Sequence, residues 1–254
     1  MNSEIIYKKI LEISDNNMIS KPYVVGGIPR DLLISGEKEY KDIDITTNGP
    51  DIVRLALLLT DDLGVSFEMF KDGHISIFLK GYSVDFSSNF ISEDAIEYAK
   101  EEIAEKEFLK EVFSRDFTIN TLLLDIETGE IMDPTERGRD DLSNKTIKTI
   151  VSPEITFNDD PNRIFRAIEL STRLGFDIDG EILDFARSNS ERINTDLAIK
   201  EAFIEGIISK SLKNDADKTL EHLIQMDLLK QVPLTGMFKD QLISRRMIKD
   251  YLDL

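Results

Sequence analysis

Two adjacent glycines, Gly26 and Gly27, separate a short apolar run from a helical stretch, and this junction constrains the fold more than any other feature. The apolar run predicts a strand, and Pro29 suits the first turn of the helix that follows. Glycine permits positive φ and close approach of the backbone to a ligand. N–H groups near residues 28–31 would point at an anion, and Arg30 would add a bidentate phosphate donor. The alternative is a plain strand–turn–helix connection with a surface arginine.

Two carboxylates follow in the stretch Asp-Ile-Asp-Ile-Thr at residues 42–46. The alternation predicts a strand with Asp42 and Asp44 on one face and the isoleucines on the core face. Mg²⁺ usually takes one or two carboxylates together with substrate phosphates. Asp85, on a later predicted strand, would complete the metal pair or act as a base on an incoming hydroxyl. The alternatives are a solvated strand face for the first pair and an edge-strand aspartate for Asp85.

The glycine junction and the paired carboxylates together indicate nucleotidyl transfer. A helix N-terminus can hold the phosphates of a nucleoside triphosphate. Two metal ions about 4 Å apart can activate an attacking hydroxyl and stabilise the leaving pyrophosphate. Either feature alone is common, but a simple connection and a solvated strand explain the combination poorly.

The amino-acid composition limits the kinds of partner and cofactor that the chain can bind. The chain has 31 basic and 49 acidic residues, so its net charge of −18 opposes non-specific nucleic-acid binding. A local basic patch stays compatible, because charges beyond a Debye length of about 8 Å are screened. The absence of cysteine excludes thiolate sites, and two distant histidines argue against a zinc hydrolase. No run reaches the about 20 apolar residues of a membrane span, and no basic leader opens the chain. We therefore expect a cytoplasmic protein without a membrane partner.

The pattern of elements predicts two domains, an α+β domain over residues 1–150 and a helical domain over residues 151–254. Hairpin turns are predicted at Asp72-Gly73, Lys80-Gly81 and Thr128-Gly129. The predicted helices cover residues 3–15, 51–63, 92–113 and the chain beyond 152 with breaks at Gly175, Gly180 and Pro233; the predicted strands cover residues 23–25, 43–46, 65–70, 74–79, 82–86, 122–126 and 130–132.

Four blocks in order resemble one family. Residues 25–46 resemble the head of the class II tRNA nucleotidyltransferases and their bacterial poly(A) polymerase relatives. The other blocks are Arg-Asp-Phe-Thr-Ile-Asn-Thr-Leu at 115–122, Asp-Pro-Asn-Arg-Ile-Phe-Arg-Ala at 160–167 with Leu-Gly-Phe at 174–176, and the helical start at 223–233. The resemblance covers roughly residues 20–235.

The resemblance implies a nucleotidyltransferase-type mixed β-sheet head over residues 1–150, followed by a helical neck and a truncated body over residues 151–254. It implies a template-independent enzyme that adds C and/or A from CTP or ATP to RNA 3′ ends, above all the CCA end of tRNA. Pyrophosphate would be released, with two Mg²⁺ ions held by Asp42 and Asp44 and Mn²⁺ as a substitute. Asp85 would assist the catalytic pair.

The same resemblance assigns nucleotide-binding residues in the 115–122 block. Arg115 and Asp116 would contact the ribose and help to select ribonucleotides. Asn120 would lock that site, with an ordinary helix-face asparagine as the equal alternative.

In the 160–167 block, Asp160 and Arg163 would act as a protein template for the base. Cytosine and adenine each offer an amine donor beside a ring-nitrogen acceptor, which a carboxylate and a guanidinium match. The spacing predicts that both lie on one helix face. Asp159 would stand beside them, and Arg166 would face the triphosphate. The alternative is a helix cap, at Asp159 or Asp160 with Pro161 at the first position, plus a surface arginine.

Three positions depart from the family pattern and remove positive potential or reach: Ser114 for arginine, Asp159 for glutamate and Glu169 for arginine. Residues 92–113 predict a charged helix where relatives carry a loop that helps them to switch between CTP and ATP. The chain is also short, so the grip on tRNA is expected to be reduced, supplied by a homo-oligomer, or directed at a shorter RNA. A transferase that adds only A or only C, a poly(A) polymerase-like enzyme on another acceptor, and a non-catalytic nucleotide-binding module remain the alternatives.

Overall fold

The computed structural model describes residues 3–36, 40–47, 51–70, 74–87, 112–195 and 201–229. The chain divides into two compact units, Met1–Leu142 and Ser143–Leu254. The predicted turn at Asp72-Gly73, most of the helix predicted at 92–113 and the break at Pro233 lie outside the described residues.

The first unit combines helices with a seven-stranded mixed sheet. Its elements in chain order are α1 (Ser3–Asn16), β1 (Pro22–Val25), α2 (Gly27–Ser35), β2 (Asp42–Thr47), α3 (Ile52–Leu63), β3 (Phe67–Met69), β4 (Ile75–Leu79), β5 (Tyr82–Phe86), a 3-10 turn (Thr118–Asn120), β6 (Leu123–Asp125), β7 (Ile131–Met132) and α4 (Gly138–Ser143).

The strand order is β3-β4-β5-β2-β1-β6-β7, and β2 pairs with β5 in parallel while the other pairs are antiparallel. One face of the sheet packs on α1 and α3 through a core of aliphatic and aromatic side chains. Alternation along the strands then sends the other side chains to the opposite face. The core strand residues are Val24, Ile43, Ile45, Ile75, Ile77, Leu79, Val84, Phe86 and Leu124.

The second unit is mainly helical. Helix α6 packs against α9 and α10, and its apolar face is buried. Its elements are β8 (Thr146–Ile147), α5 (Pro153–Asp159), α6 (Asn162–Leu174), β9 (Asp177–Ile178), α7 (Gly180–Ser188), α8 (Ser190–Thr195), α9 (Glu201–Asn214) and α10 (Ala216–Gln225).

The predicted α+β class is confirmed, and several boundaries differ. Helix α2 begins at Gly27, two residues before Pro29. The strand predicted at 65–70 is limited to Phe67–Met69. The turn at Lys80-Gly81 is confirmed, with φ of 48° and 95° at its two residues. These positive values are those that a tight hairpin turn requires.

The second domain, predicted as helical, also contributes one two-residue strand to a short ladder. Strand β9 pairs in parallel with β8, and Asp177 N donates to Lys145 O at 2.9 Å. Strands of two residues are too short to show a period, so no sequence pattern announces them. Gly175 ends α6 as predicted, and its backbone is in the left-handed conformation. Gly180, in contrast, opens α7 behind the capping residue Asp179.

Within the described ranges, none of the helices is long and apolar enough to cross a membrane.

Candidate active site

The predicted catalytic carboxylates lie on the face of the sheet opposite the core. Asp44 of β2 is paired in register with Asp85 of β5, so their side chains leave neighbouring strands at the same level. Asp42 lies two residues earlier on β2, opposite Ser83, and therefore projects to the same face. Asp42 is exposed, and Asp44 and Asp85 are half-buried. The structure thus brings three predicted acidic residues onto one surface.

Gly26 brings the glycine turn against this surface. Its φ of 82° and ψ of −127° belong to a region that L side chains rarely adopt. A Cβ atom at this position would stand 2.7 Å from Oδ2 of Asp44 and 3.5 Å from Nη1 of Arg115. Glycine is therefore required for both backbone geometry and space. The turn, a carboxylate of β2 and the guanidinium of the 115–122 block meet here.

The anion-binding end of α2 lies closer to the glycines than the sequence indicated. Gly26 is the capping residue and Gly27 the first helical residue. The N–H groups without partners inside the helix are therefore those of Gly26, Gly27 and Ile28, since Pro29 carries none. The expectation of donors at residues 28–31 is corrected by this shift, because the helix starts two residues earlier.

Arg30 is buried, at 2% exposure, and is not a surface arginine. Its Nε donates to Asp31 Oδ1 at 2.7 Å, and its Nη1 donates to Asn120 Oδ1 at 2.5 Å. Its Nη2 lies against the turn, 3.2 Å from where a Cβ of Gly27 would stand. Arg30 therefore joins the glycine turn to the predicted ribose-binding block.

Asn120 extends this network to Asp116. Its Nδ2 donates to Asp116 Oδ1 at 2.9 Å, and the same oxygen accepts from the backbone N of Phe117 at 2.9 Å. Asp116 and Asn120 are each 5% exposed. The predicted contact between Asn120 and Asp116 is present, within a tight turn and not one turn apart on an α-helix.

Helix α4 supports the same turn from behind. Thr118 Oγ1 donates to Asp141 Oδ2 at 2.7 Å, and both residues are buried. A Cβ at Gly138 would stand 2.8 Å from the carbonyl oxygen of Thr118, so α4 approaches as closely as backbone allows. No local sequence pattern reveals this contact, because Thr118 and Asp141 are 23 residues apart in the chain.

Asp85 has two partners that the sequence analysis missed. Ser76 lies directly opposite on β4 and donates its hydroxyl to Asp85 Oδ1. His74 Nε2 lies 3.3 Å from the same oxygen. The alternation of His74 and Ser76 on one strand face was the available signal. These contacts restrict the rotation of the Asp85 carboxylate.

The residues fit a divalent cation. Three carboxylates on one face repel each other unless a cation lies among them, and oxygen ligands suit Mg²⁺. The missing side chain of Gly26 leaves space beside Asp44 Oδ2. In the ranges that the structure describes, no three His, Asp or Glu side chains form a group able to hold a metal by themselves. Mg²⁺ usually binds through one or two carboxylates and completes its shell with substrate phosphates and water.

In the second unit, the predicted template residues lie around the start of α6. Asp160 has an extended φ of −143° and precedes the helix. The prediction that Asp160 and Arg163 lie on one helix face was therefore wrong. Asp160 Oδ1 accepts from the backbone N of Asn162 at 2.9 Å and from its Nδ2 at 2.8 Å. Pro161 occupies the capping position itself. The carboxylate of Asp160 is thus oriented by the first helical residue.

Arg163 is held by Asp159, whose Oδ2 lies 3.4 Å from its Nη1. Burial raises the pKa of Asp159 above its ordinary value, Arg163 lowers it, and Asp160 adds to the rise. Arg166 is exposed, one turn further along α6. Glu169, the charge reversal noted in the sequence, forms an ion pair with Arg173 at 3.0 Å.

Known proteins are similar to this chain in sequence. The family model described as the poly(A) polymerase head domain matches residues 22–148. The CCA-adding enzyme of Bacillus pumilus is 30% identical over 224 residues, which are 87% of this chain and 52% of that enzyme. The A-adding tRNA nucleotidyltransferase of Geobacter sulfurreducens is 30% identical over 198 residues, 76% of this chain and 21% of that protein.

The fold is similar to that of the Thermotoga maritima CCA-adding enzyme, solved in complex with tRNA. The TM-score is 0.70 at 24% identity, over 89% of this chain and 51% of that chain. The chain spans about half the length of curated relatives such as the Bacillus pumilus enzyme. Since the head-domain model matches half of its residues, the chain belongs to the poly(A) polymerase head-domain family, that of the class II tRNA nucleotidyltransferases.

Proposed function

We propose that this chain is a template-independent nucleotidyltransferase that adds C, A or both from CTP and ATP to the 3′ end of tRNA. The observation that carries the proposal is the meeting of Gly26, Asp44 and Arg115 within a few ångströms. This arrangement offers backbone donors and a guanidinium for phosphates beside a carboxylate for a cation. The relatives named above support the choice of tRNA as acceptor.

The reaction forms one phosphoester bond and breaks one anhydride bond. The 3′ oxygen of the RNA attacks the α-phosphorus of the nucleotide in line. The bond between the α-phosphorus and the α,β-bridging oxygen breaks, and the β- and γ-phosphates leave as pyrophosphate. Two Mg²⁺ ions, with Mn²⁺ as a substitute, would supply Lewis acidity and charge neutralisation from the side of Asp42 and Asp44. Asp85, oriented by Ser76 and His74, would accept the proton of the attacking hydroxyl.

The protein's own groups position the nucleotide. Donors at Gly26 and Gly27 would hold the phosphates. Arg115, which the resemblance assigns to the ribose, lies close enough to the glycine turn to neutralise the phosphate charge as well. Asp116 would bind the ribose, and its carboxylate is oriented for this by the two hydrogen bonds that one of its oxygens accepts. Arg30 would keep the turn and the ribose block in fixed register.

Base choice would belong to the start of α6. A carboxylate at Asp160 would accept from the exocyclic amine of cytosine or adenine, and Arg163 would donate to the adjacent ring nitrogen. Uracil and guanine present a different order of donors and acceptors on the corresponding edge. Asp159 would orient Arg163 through the ion pair seen in the structure.

The test is incorporation of labelled CTP, ATP, UTP and GTP, with Mg²⁺, into tRNAs that lack CCA, end in C or end in CC. Ordered addition of C, C and A would support a complete CCA-adding activity. Addition of one nucleotide would assign an A-only or C-only transferase. Absence of incorporation by a chain that still binds nucleotide would refute the proposal and favour a non-catalytic module.

Asp42→Ala should abolish incorporation, because Asp42 would be a metal ligand. Asp61→Ala is the matched control, since Asp61 is an exposed aspartate on α3 in the same unit. Circular dichroism should show both variants folded. Activity retained by Asp42→Ala would contradict the assignment of the site.

A further inference from the structure

An exposed aromatic side chain continues the carboxylate face onto β4. Phe78 is 62% exposed, although its strand neighbours Ile77 and Leu79 are buried. Phe78 pairs in register with Ser83 of β5, and Ser83 pairs with Asp42 of β2. Aligned residues share a sheet face, so Phe78 lies on the same face as Asp42, two strands or about 10 Å away.

A stacked pair of aromatic side chains lies beside Asp85. The rings of Phe70 and His74 are stacked with centroids 4.9 Å apart, and Phe70 is 45% exposed. His74 contacts Asp85 at 3.3 Å. His74 and Phe78 alternate along the chain with Ser76 between them, so all three occupy one face. Aromatic surface therefore borders the carboxylates on the β4 side.

In-line attack determines which substrate can lie over this aromatic surface. The glycine turn lies on the β1 side of Asp44. If phosphates bind at the turn, the pyrophosphate departs toward β1 and α2. In-line displacement then requires the attacking oxygen to approach from the opposite side, over β5 and β4. The 3′-terminal nucleotide of the acceptor must lie there.

The charge beside Phe78 suits a nucleic-acid strand. Lys80, the first residue beyond β4, follows Phe78 by two positions, and Lys41 immediately precedes β2, two strands from Phe78; both lysines are exposed. Exposed aromatic rings on a surface that also carries basic side chains are typical of proteins that bind single-stranded nucleic acid, where bases stack and phosphates are neutralised. Here it occurs in a chain whose net charge is −18.

We propose that Phe78 is a stacking platform for the 3′-terminal base of the single-stranded RNA acceptor. The inference rests on the proposed function, since it takes its direction from in-line attack. Stacking tolerates every base, so Phe78 orients the acceptor and leaves the choice of nucleotide unchanged. Its loss should therefore raise the KM for RNA and leave the KM for CTP or ATP within about twofold.

The experiment uses the full chain and a short RNA hairpin with a single-stranded 3′ end whose last base is 2-aminopurine. Binding is followed by the quenching of its fluorescence, without nucleotide. Phe78→Ala should lose the quenching and weaken binding by about 5- to 100-fold, as expected for one stacked base. Phe78→Trp should retain both.

Phe67→Ala is the matched control. Phe67 is 41% exposed on the neighbouring strand β3, and its register with Ile77 places it on the core face of the sheet. It should bind and quench like the wild type. Equal affinity of Phe78→Ala and wild type would overturn the inference, as would a change in Phe78→Ala confined to the oligomeric state, which would assign this surface to a second copy of the chain.

The binding assay separates this inference from the proposed function, because it needs no turnover. A wild type that incorporates nucleotide while Phe78→Ala binds and quenches normally would refute the platform alone. A wild type that quenches through Phe78 but incorporates no nucleotide would refute the proposed function and leave the platform standing.

Discussion

The guanidinium of Arg30 donates to the side-chain oxygen of Asn120 at 2.5 Å and so joins positions 90 residues apart. Asn120 then donates to Asp116 at 2.9 Å. A carboxamide can accept from one neighbour and donate to another, which neither a carboxylate nor a hydrocarbon can do in this place. The glycine turn and the predicted ribose-binding block are therefore coupled through one side chain.

Asn120→Asp should lower the stability of the chain and raise its KM for nucleotide. The substitution keeps the acceptor for Arg30 but removes the donor to Asp116 and places a second carboxylate beside it. Loss of this buried hydrogen bond should lower the free energy of unfolding by about 1–3 kcal/mol. Urea denaturation and steady-state kinetics should show that loss together with a raised KM for nucleotide.

Asn189→Asp is the control for this variant. Asn189 donates its Nδ2 to Phe185 O at 2.9 Å in the second unit. It should also lower stability, with the KM for nucleotide unchanged. If Asn120→Asp binds nucleotide as the wild type does, the coupling has no role in binding.

Gly26→Ala should abolish activity while the chain still folds. The new Cβ would stand 2.7 Å from Asp44 Oδ2 and would displace that carboxylate. Loss of one positioned catalytic group typically costs about 100-fold or more in kcat. Gly64→Ala, at φ 62° with nothing within 4 Å, imposes backbone strain without a clash. It should cost about 1 kcal/mol of stability and leave kcat unchanged; a similar kcat for both variants would contradict this account.

Stability should fall in mild acid because of His222. Its Nε2 lies 2.8 Å from Ser171 Oγ, which itself donates to Phe176 O. Burial lowers the pKa of His222 below its ordinary value of 6.5. Below about pH 6.5 the unfolded chain therefore binds more protons than the folded chain, and stability decreases as pH falls toward the lowered pKa.

The measurement is the urea midpoint of unfolding between pH 8 and pH 5. His222→Gln cannot titrate, so its midpoint should decline less steeply below about pH 6.5 than that of the wild type. Identical slopes for His222→Gln and wild type would exclude His222 as the origin of the acid sensitivity.

Arg163→Ala should relax base choice more than it slows the reaction. Removal of the guanidinium leaves Asp160 to read the base alone, so the preference for C and A over U and G should shrink by about tenfold or more, as for loss of a charge-assisted hydrogen bond. Competition among the four nucleotides measures this ratio. Arg173→Ala, on the same helix and paired with Glu169, should leave it unchanged. An unaltered preference in Arg163→Ala would refute the template role.

The sequence predicted the parts of the site that depend on local pattern. The strand that carries Asp42 and Asp44, the strand of Asp85 and the glycine turn are each encoded within a few neighbouring residues. Alternation and turn chemistry operate at that range, so these predictions were correct in position. The roles of these residues in binding and catalysis stay predictions.

Features that depend on distant contacts escaped the sequence. The burial of Arg30 follows from Asn120, and the orientation of Asp85 follows from Ser76 and His74. Each contact joins elements whose proximity is set by the sheet register, which no local period encodes. The extended backbone of Asp160 likewise has its origin in the surrounding helices. One helix ends at Asp159 and the next begins at Asn162, whereas the sequence predicted Asp160 within the start of a single helix.

The parallel pairing of β2 with β5 ties correct assembly to catalytic competence. Ile45 and Phe86 are aligned one step beyond Asp44 and Asp85, and both are fully buried in the core. A slip of one residue would drive Asp85 into hydrocarbon and expose Phe86 to water. The apolar face of the sheet therefore selects the register: chains with a shifted register would be too unstable to accumulate, so that folded chains have Asp44 and Asp85 side by side.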